Sequence, residues 1–210
     1  MAVQEQLKKA GLKLLRKIHN RLNAWTVRQP PLPVTGLPEL NEVLERSRKR
    51  TPMADHLVRL FTEALALRPG LIVELGVGPA ESTFVFERVA RLTGCTWLSI
   101  DIEDRSKRCA YPGWNFVQAD DVSFARDFPA WCGSKNIPPE IDLLFIDTSH
   151  YYEHSLREIE SYFPFLSPRA KVFFHDTNLR SIYYRRSGRM ELGWDNERGV
   201  IRAIEEYLGK

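Results

Sequence analysis

A chain of 210 residues, 43% hydrophobic and 27% charged, is long enough for one well-buried α/β domain, too short for two of ordinary size, and too apolar to be disordered. Its formal net charge of +3 is too mild to imply a nucleic-acid partner. No apolar run approaches the roughly 20 residues of a membrane-spanning helix.

The basic amino terminus lacks the continuous apolar stretch and small-residue cleavage site of a secretory signal. The three cysteines, Cys95, Cys109 and Cys132, have neither metal-finger nor CxxC spacing and fit the reduced thiols of a cytoplasmic protein. From Gln4 to Trp25, Leu7, Leu14, Leu15, Ile18 and Leu22 recur at helical spacing among Lys8, Lys9, Lys13, Arg16, Lys17 and Arg21. This predicts a basic amphipathic helix that rests on a membrane surface, on a partner or second subunit, or on its own domain. Gln29 to Pro38, with four prolines and a glycine, reads as a linker, so residues 1–38 form an arm and 39–210 the domain.

Leu40 to Arg50 is helical in pattern. Thr51-Pro52 has the form of a second helix start, with Thr51 as cap and the helix running to about Leu67. Leu71 to Leu75 is a short apolar strand entering Gly76-Val77-Gly78, and a helix from Thr83 to Leu92 follows. Strand, glycine turn and helix form a nucleotide-binding arrangement. Glu81 stands where a dinucleotide site needs its third glycine, and would repel a pyrophosphate. A second strand, Thr96 to Ile100, ends in Asp101, placed to accept from ribose hydroxyls. A third, Trp114 to Val117, leads to Asp120 and Asp121, either of which could accept from an adenine amino group. Ile141 to Ile146, a strand buried on both faces, ends in Asp147 and His150. The segment Ala170 to Thr177 repeats the pattern with His175 and Asp176. Two such ends side by side would gather four groups able to bind metal or move protons.

In this order and spacing, Val73-Glu74-Leu75-Gly76-Val77-Gly78, Ser82-Thr83, Asp101, Phe145 to His150 and Phe174 to Thr177 resemble the class I S-adenosylmethionine-dependent methyltransferases. More narrowly, the chain is similar to the group of cephalosporin-hydroxylase-like proteins and metal-dependent O-methyltransferases of macrolide and rhamnose sugars, over about Thr51 to Leu208. The resemblance implies a doubly wound, Rossmann-like and mostly parallel sheet. It places Glu74, Gly76, Gly78 and Ser82 on the methionine part of S-adenosylmethionine, Asp101 on the ribose, and Asp120 or Asp121 on the adenine. Asp147 with the pair His175 and Asp176 would hold a divalent cation, Mg²⁺ or Mn²⁺, and His150 would be the catalytic base for methylation of a sugar or similar small-molecule hydroxyl. Such an enzyme could be a homo-oligomer.

Three departures are visible. Ala80 replaces a common glycine. His175 stands where an acid is usual, which shifts preference toward Mn²⁺, Fe²⁺ or Zn²⁺ unless His175 points away. Only 33 residues follow Thr177, where the family's sheet normally adds an antiparallel pair, implying a shortened sheet or a truncated form. Asn178 to Asp195, with Tyr183, Tyr184, Arg185, Arg186 and Trp194, reads as a substrate lid. Tyr151, Tyr152 and His154 are expected on a helix surface, and His19 and His56 carry no positional argument. Two other readings compete: an iron-dependent hydroxylase using His150, His175 and Asp147 or Asp176, and a non-catalytic cofactor-binding scaffold.

Overall fold

The computed structural model describes residues 2–26, 31–49, 51–177, 179–185, 188–193 and 195–209. The elements in chain order are α1 (Ala2–Thr26), α2 (Pro38–Arg46), α3 (Leu57–Leu67), β1 (Leu71–Leu75), α4 (Glu81–Thr93), β2 (Thr96–Asp101) and β3 (Trp114–Gln118). There follow α5 (Asp121–Phe124), α6 (Phe128–Ser134), β4 (Ile141–Ile146), α7 (Tyr152–Tyr162), β5 (Leu166–Phe174), β6 (Ile182–Tyr184), β7 (Met190–Leu192) and α8 (Gly199–Tyr207).

Strands β1 to β5 form one parallel sheet in the order β3-β2-β1-β4-β5. Alternate side chains of each strand feed opposite faces. On one face Ile72, Trp97, Leu143 and Phe145 pack with Leu57 and Phe61 of α3 and Phe86 and Val89 of α4. On the other, Val73, Leu75, Leu98, Ile100, Leu144 and Ile146 pack with Phe124, Phe128 and Tyr162. Every residue of β1 and β4 is buried, which is why both strands are apolar apart from Glu74 and Asp142. The edge strand β5 is only partly covered and accommodates Pro168.

Several boundaries differ from expectation. Pro38 opens α2 at its first turn rather than closing a linker, where a missing N–H costs nothing; Gln29 and Pro30 lie outside the described residues. Thr51 does not cap a helix: residues 52–56 form turns, α3 begins at Leu57, and its cap position is His56. The main sheet stops at five strands, shortened as expected among the described residues; β6 and β7 pair antiparallel as a separate hairpin rather than extending it. This hairpin packs on α1: Asn20 Nδ2 donates to Met190 O (2.9 Å), Met190 N donates to Asn20 Oδ1 (2.8 Å), His19 Nε2 lies 2.9 Å from Gly188 O, and Arg16 pairs with Glu191.

Candidate active site at the switch point

The sheet ladder runs past the strand ends. Gly76 N donates to Ile100 O (2.9 Å), Asp147 N to Leu75 O (2.9 Å), His175 N to Ile146 O (2.9 Å) and Ala119 N to Asp101 O (3.0 Å). These bonds hold the exits of β2, β1, β4 and β5 in one row at the carboxyl edge, where the strand order reverses between β1 and β4 and ligands of such sheets bind. Gly76 has φ +83°, and a Cβ there would meet the Asp147 carbonyl oxygen at 2.1 Å. Its bareness thus permits contact between the glycine turn and the Asp147 loop. Gly78, at φ +45°, has open space where a Cβ would be, leaving its backbone approachable by a ligand.

A cavity of about 360 Å³ lies over this turn, lined by Gly76, Gly78, Asp101, Arg105, Asp120 and Thr148 among others, a volume typical of a small-molecule site. Asp101 Oδ2 accepts from Val77 N (2.9 Å) and Gly78 N (3.1 Å), and Oδ1 accepts from Glu103 N, so this carboxylate braces the glycine turn as well as facing the cavity. Asp120 accepts from Ser123 N at the start of α5 (2.8 Å) and lies at the cavity wall. Asp121 is buried against His154, whose Nε2 is 3.2 Å from it. His154 therefore lines the cavity rather than a plain helix surface, and connects Asp121 to buried Glu158, which accepts from Thr148 Oγ1 at 2.6 Å. Burial and the adjacent Asp121 carboxylate raise the Glu158 pKa well above its ordinary value, so Glu158 carries the proton of this pair.

Glu74 and Ser82 are not among the residues lining this cavity. Glu74 is fully buried on the α4 side of β1. Its oxygens accept from Ser82 Oγ (2.6 Å), Thr83 Oγ1 (3.0 Å) and Ser99 Oγ (2.5 Å). They tie α4 to β1 and β2 beneath the turn and present no group to the cavity.

Asp147, His150, His175 and Asp176 do converge, with ligand-type atoms all within 4.8 Å of one another. His175 Nδ1 lies 3.2 Å from Asp147 Oδ1 and 3.3 Å from Asp176 Oδ1; His150 Nε2 lies 3.4 Å from Asp147 Oδ1 and 3.6 Å from Asp176 Oδ2. His175 thus points into the cluster. Burial opposes its positive charge, but hydrogen bonds and charge from Asp147 and Asp176 outweigh it and push its pKa up to about 10. His150 moves the other way: burial outweighs the same carboxylates and lowers its pKa, leaving a neutral imidazole at neutral pH. His150 and Asp176 have φ of +60° and +50°, a left-handed conformation that is costly outside glycine. Both are braced by the start of α8 and the loop before it: Asn196 Nδ2 donates to Asp176 O (2.9 Å), and Gly199 packs on the His150 carbonyl and Tyr152 N.

On the far side of the cluster a second cavity, about 540 Å³, is lined by His56, Arg59, His175, Asp176, Tyr183 and Leu192 among others. His56 contributes an edge-on contact to the His175 ring, centroids 5.6 Å apart. No motif marks it in the sequence; its position just before α3, opposite the end of β5, is a product of the fold. Of the expected lid, Tyr183 lines this cavity and Tyr184 is exposed; Asn178, Arg186 and Trp194 lie outside the described residues. Tyr151 is exposed and Tyr152 donates to Glu206 on α8.

A parallel sheet with a glycine turn and acidic strand ends at its switch point defines a Rossmann-like domain built for a nucleoside-containing cofactor. Residues 73–177, half of the chain, match the family model described as Methyltransferase domain, and the chain belongs to that family. Solved structures of similar fold include the MycE methyltransferase from the mycinamycin biosynthetic pathway, in complex with Mg, SAH and mycinamycin VI, at TM-score 0.50 and 19% identity over 68% of this chain and 38% of that one. The O-methyltransferase from Bacillus cereus in complex with SAH matches at TM-score 0.50 and 11% identity, over 92% of this chain and 86% of that one. A putative O-methyltransferase from Klebsiella pneumoniae matches at TM-score 0.50 and 14% identity, over 92% and 84%. Among curated proteins, the uncharacterized protein y4gI of Sinorhizobium fredii (strain NBRC 101917 / NGR234) is 45% identical over 40 residues, 19% of this chain and 4% of that protein. The chain thus spans about two fifths of MycE and a small part of y4gI.

Proposed function

We propose that the protein transfers a methyl group from S-adenosylmethionine to a hydroxyl of a small acceptor, a sugar or glycosylated molecule, with help from a divalent cation. The observation that carries this reading is the position of the Asp147, His150, His175 and Asp176 cluster between two cavities: Asp147 borders the one over the glycine turn, and His175 and Asp176 border the other. The donor set suits a cation, because two carboxylates and two imidazoles converge and the buried His175 Nδ1 is aimed at both Asp147 and Asp176. Mixed nitrogen and oxygen donors favour Mn²⁺, Fe²⁺ or Zn²⁺ over Mg²⁺.

When bound, S-adenosylmethionine supplies an electrophilic methyl group, and a cation held by Asp147, His175 and Asp176 supplies charge stabilisation for an alkoxide. The chain's own residues do the rest. Asp101 and Asp120 accept from ribose and adenine, with the bare backbone of Gly78 giving access. His150, neutral at working pH, takes the acceptor's hydroxyl proton as the oxygen bonds to the methyl carbon and the carbon–sulfur bond breaks, its electron pair leaving on the sulfur of S-adenosylhomocysteine. Holding the two substrates in adjoining cavities lowers the entropic cost of their meeting.

Calorimetric titration of S-adenosylmethionine, with and without Mn²⁺ or Mg²⁺, tests the first half. Micromolar binding weakened at least roughly tenfold by Asp101→Ala is expected. His150→Ala should keep that binding and lose about 10²–10⁴-fold in turnover on a hydroxyl acceptor that the parent protein methylates. No binding with either metal would sink the assignment. A second reading, oxidation at a non-haem iron, is favoured by the meeting of two histidines with a carboxylate. It leaves the cavity over the glycine turn without a ligand, so Asp101→Ala should then have no effect on activity.

A further inference from the structure

The face of α1 that meets the rest of the protein is its polar one. Arg16, His19 and Asn20 point at the β6–β7 hairpin. Leu7, Leu14, Leu15, Ile18 and Leu22, spread over about 100° of arc at 3.6 residues per turn, point the opposite way and keep between 49% (Ile18) and 67% (Leu7) exposure. Five of the twelve exposed large apolar residues among those described therefore share one helix. Scattered singly they would need no explanation; gathered into a stripe they mark a contact.

Charge selects the occupant. Between residues 6 and 23 the chain has six cations, Lys8, Lys9, Lys13, Arg16, Lys17 and Arg21, and no acid. Lys8 borders the stripe on one side, Lys17 and Arg21 on the other. Pairing this helix with its copy in a second molecule would oppose cations with cations. An anionic surface would satisfy them. No helix among the described residues is long and apolar enough to cross a membrane, which leaves an in-plane arrangement.

We infer that α1 lies in the interface of an anionic lipid bilayer, with its leucine stripe inserted below the headgroups and its lysine and arginine flanks on them. The helix is then a bracket, gripping the hairpin with one face and the lipid with the other. Because the hairpin residues Tyr183 and Leu192 line the second cavity, the docked protein would hold that cavity close to the membrane.

Co-sedimentation of the full chain with vesicles tests this. Binding is expected to phosphatidylcholine–phosphatidylserine vesicles and not to phosphatidylcholine alone, falling as salt rises. Leu14→Gln/Ile18→Gln should weaken partitioning by roughly tenfold or more, and Lys17→Glu/Arg21→Glu should abolish it, both with the melting temperature of the parent because neither pair is in the core. Three results would overturn the proposal: no partitioning into the mixed vesicles, partitioning indifferent to Leu14→Gln/Ile18→Gln, or a solution dimer that this double variant dissociates.

Discussion

Glu74 lies under the glycine turn as a buried acid whose pKa burial drives up to about 7, against the opposing hydrogen bonds of Ser82, Ser99 and Thr83. A carboxyl that holds its proton more tightly folded than unfolded, where its value is 4.5, contributes stability that is full below pH 4.5 and lost as pH rises through about 7. Glu74→Gln fixes the neutral form in nearly the same shape. Equilibrium unfolding in urea should show the variant more stable than the parent at pH 8, by up to about 3 kcal/mol at about 1.4 kcal/mol per unit, with a flatter profile between pH 5 and 7. A variant less stable at pH 8 would mean that three hydroxyl donors suffice to hold the ionised acid. The same residue shows what a linear motif conceals. Sequence places Glu74 beside a glycine turn, but strand alternation sends its side chain to the face of Ile72, toward α4. His56 is the converse case, a residue with no motif that long-range folding puts against His175.

At the scale of elements, β1, β2 and β4 were legible because parallel strands buried on both faces leave mainly apolar runs, the edge strand β3 by its alternating Trp114, Phe116 and Val117 segment, and the groups at their exits followed from the topology of such sheets. Asp147, His150, His175 and Asp176 were readable for that reason. The start of α3 was not: Thr51-Pro52 has cap chemistry, yet the chain makes turns until Leu57. Nor was the role of α8. Its first residue, Gly199, packs so that a Cβ would stand 2.8 Å from Tyr152 N and 2.9 Å from the His150 carbonyl oxygen, closer than backbone atoms allow. Gly199→Ala improves local helix propensity, but it must push the His150 segment out of place. Turnover should fall by roughly 10–10²-fold, as expected for a catalytic group misplaced by about 1 Å, while calorimetric affinity for S-adenosylmethionine stays unchanged because α8 does not border that cavity. Loss of both in parallel would show instead that the β4–α7 loop moves as one body with the glycine turn.

Across the whole molecule, the sheet is continuous while the hairpin of β6 and β7 is a small separate unit, joined to α1 by a few polar contacts. Two strands alone are marginal in water, so this hairpin depends on what it leans against. Asn20 supplies both a donor and an acceptor to Met190, acting as a substitute for a third strand at that position. Asn20→Ala removes both bonds at a cost of about 1–3 kcal/mol, and this should appear locally rather than globally. Hydrogen exchange at residues 182–192 should accelerate by roughly tenfold, with exchange in β1 and β4 unchanged. On the proposed function the acceptor KM should rise, because Tyr183 and Leu192 wall the second cavity, while affinity for S-adenosylmethionine should hold. Unchanged exchange in the hairpin would show that its contacts with the domain, rather than α1, keep it ordered, and that the amino-terminal helix and the second cavity are energetically independent.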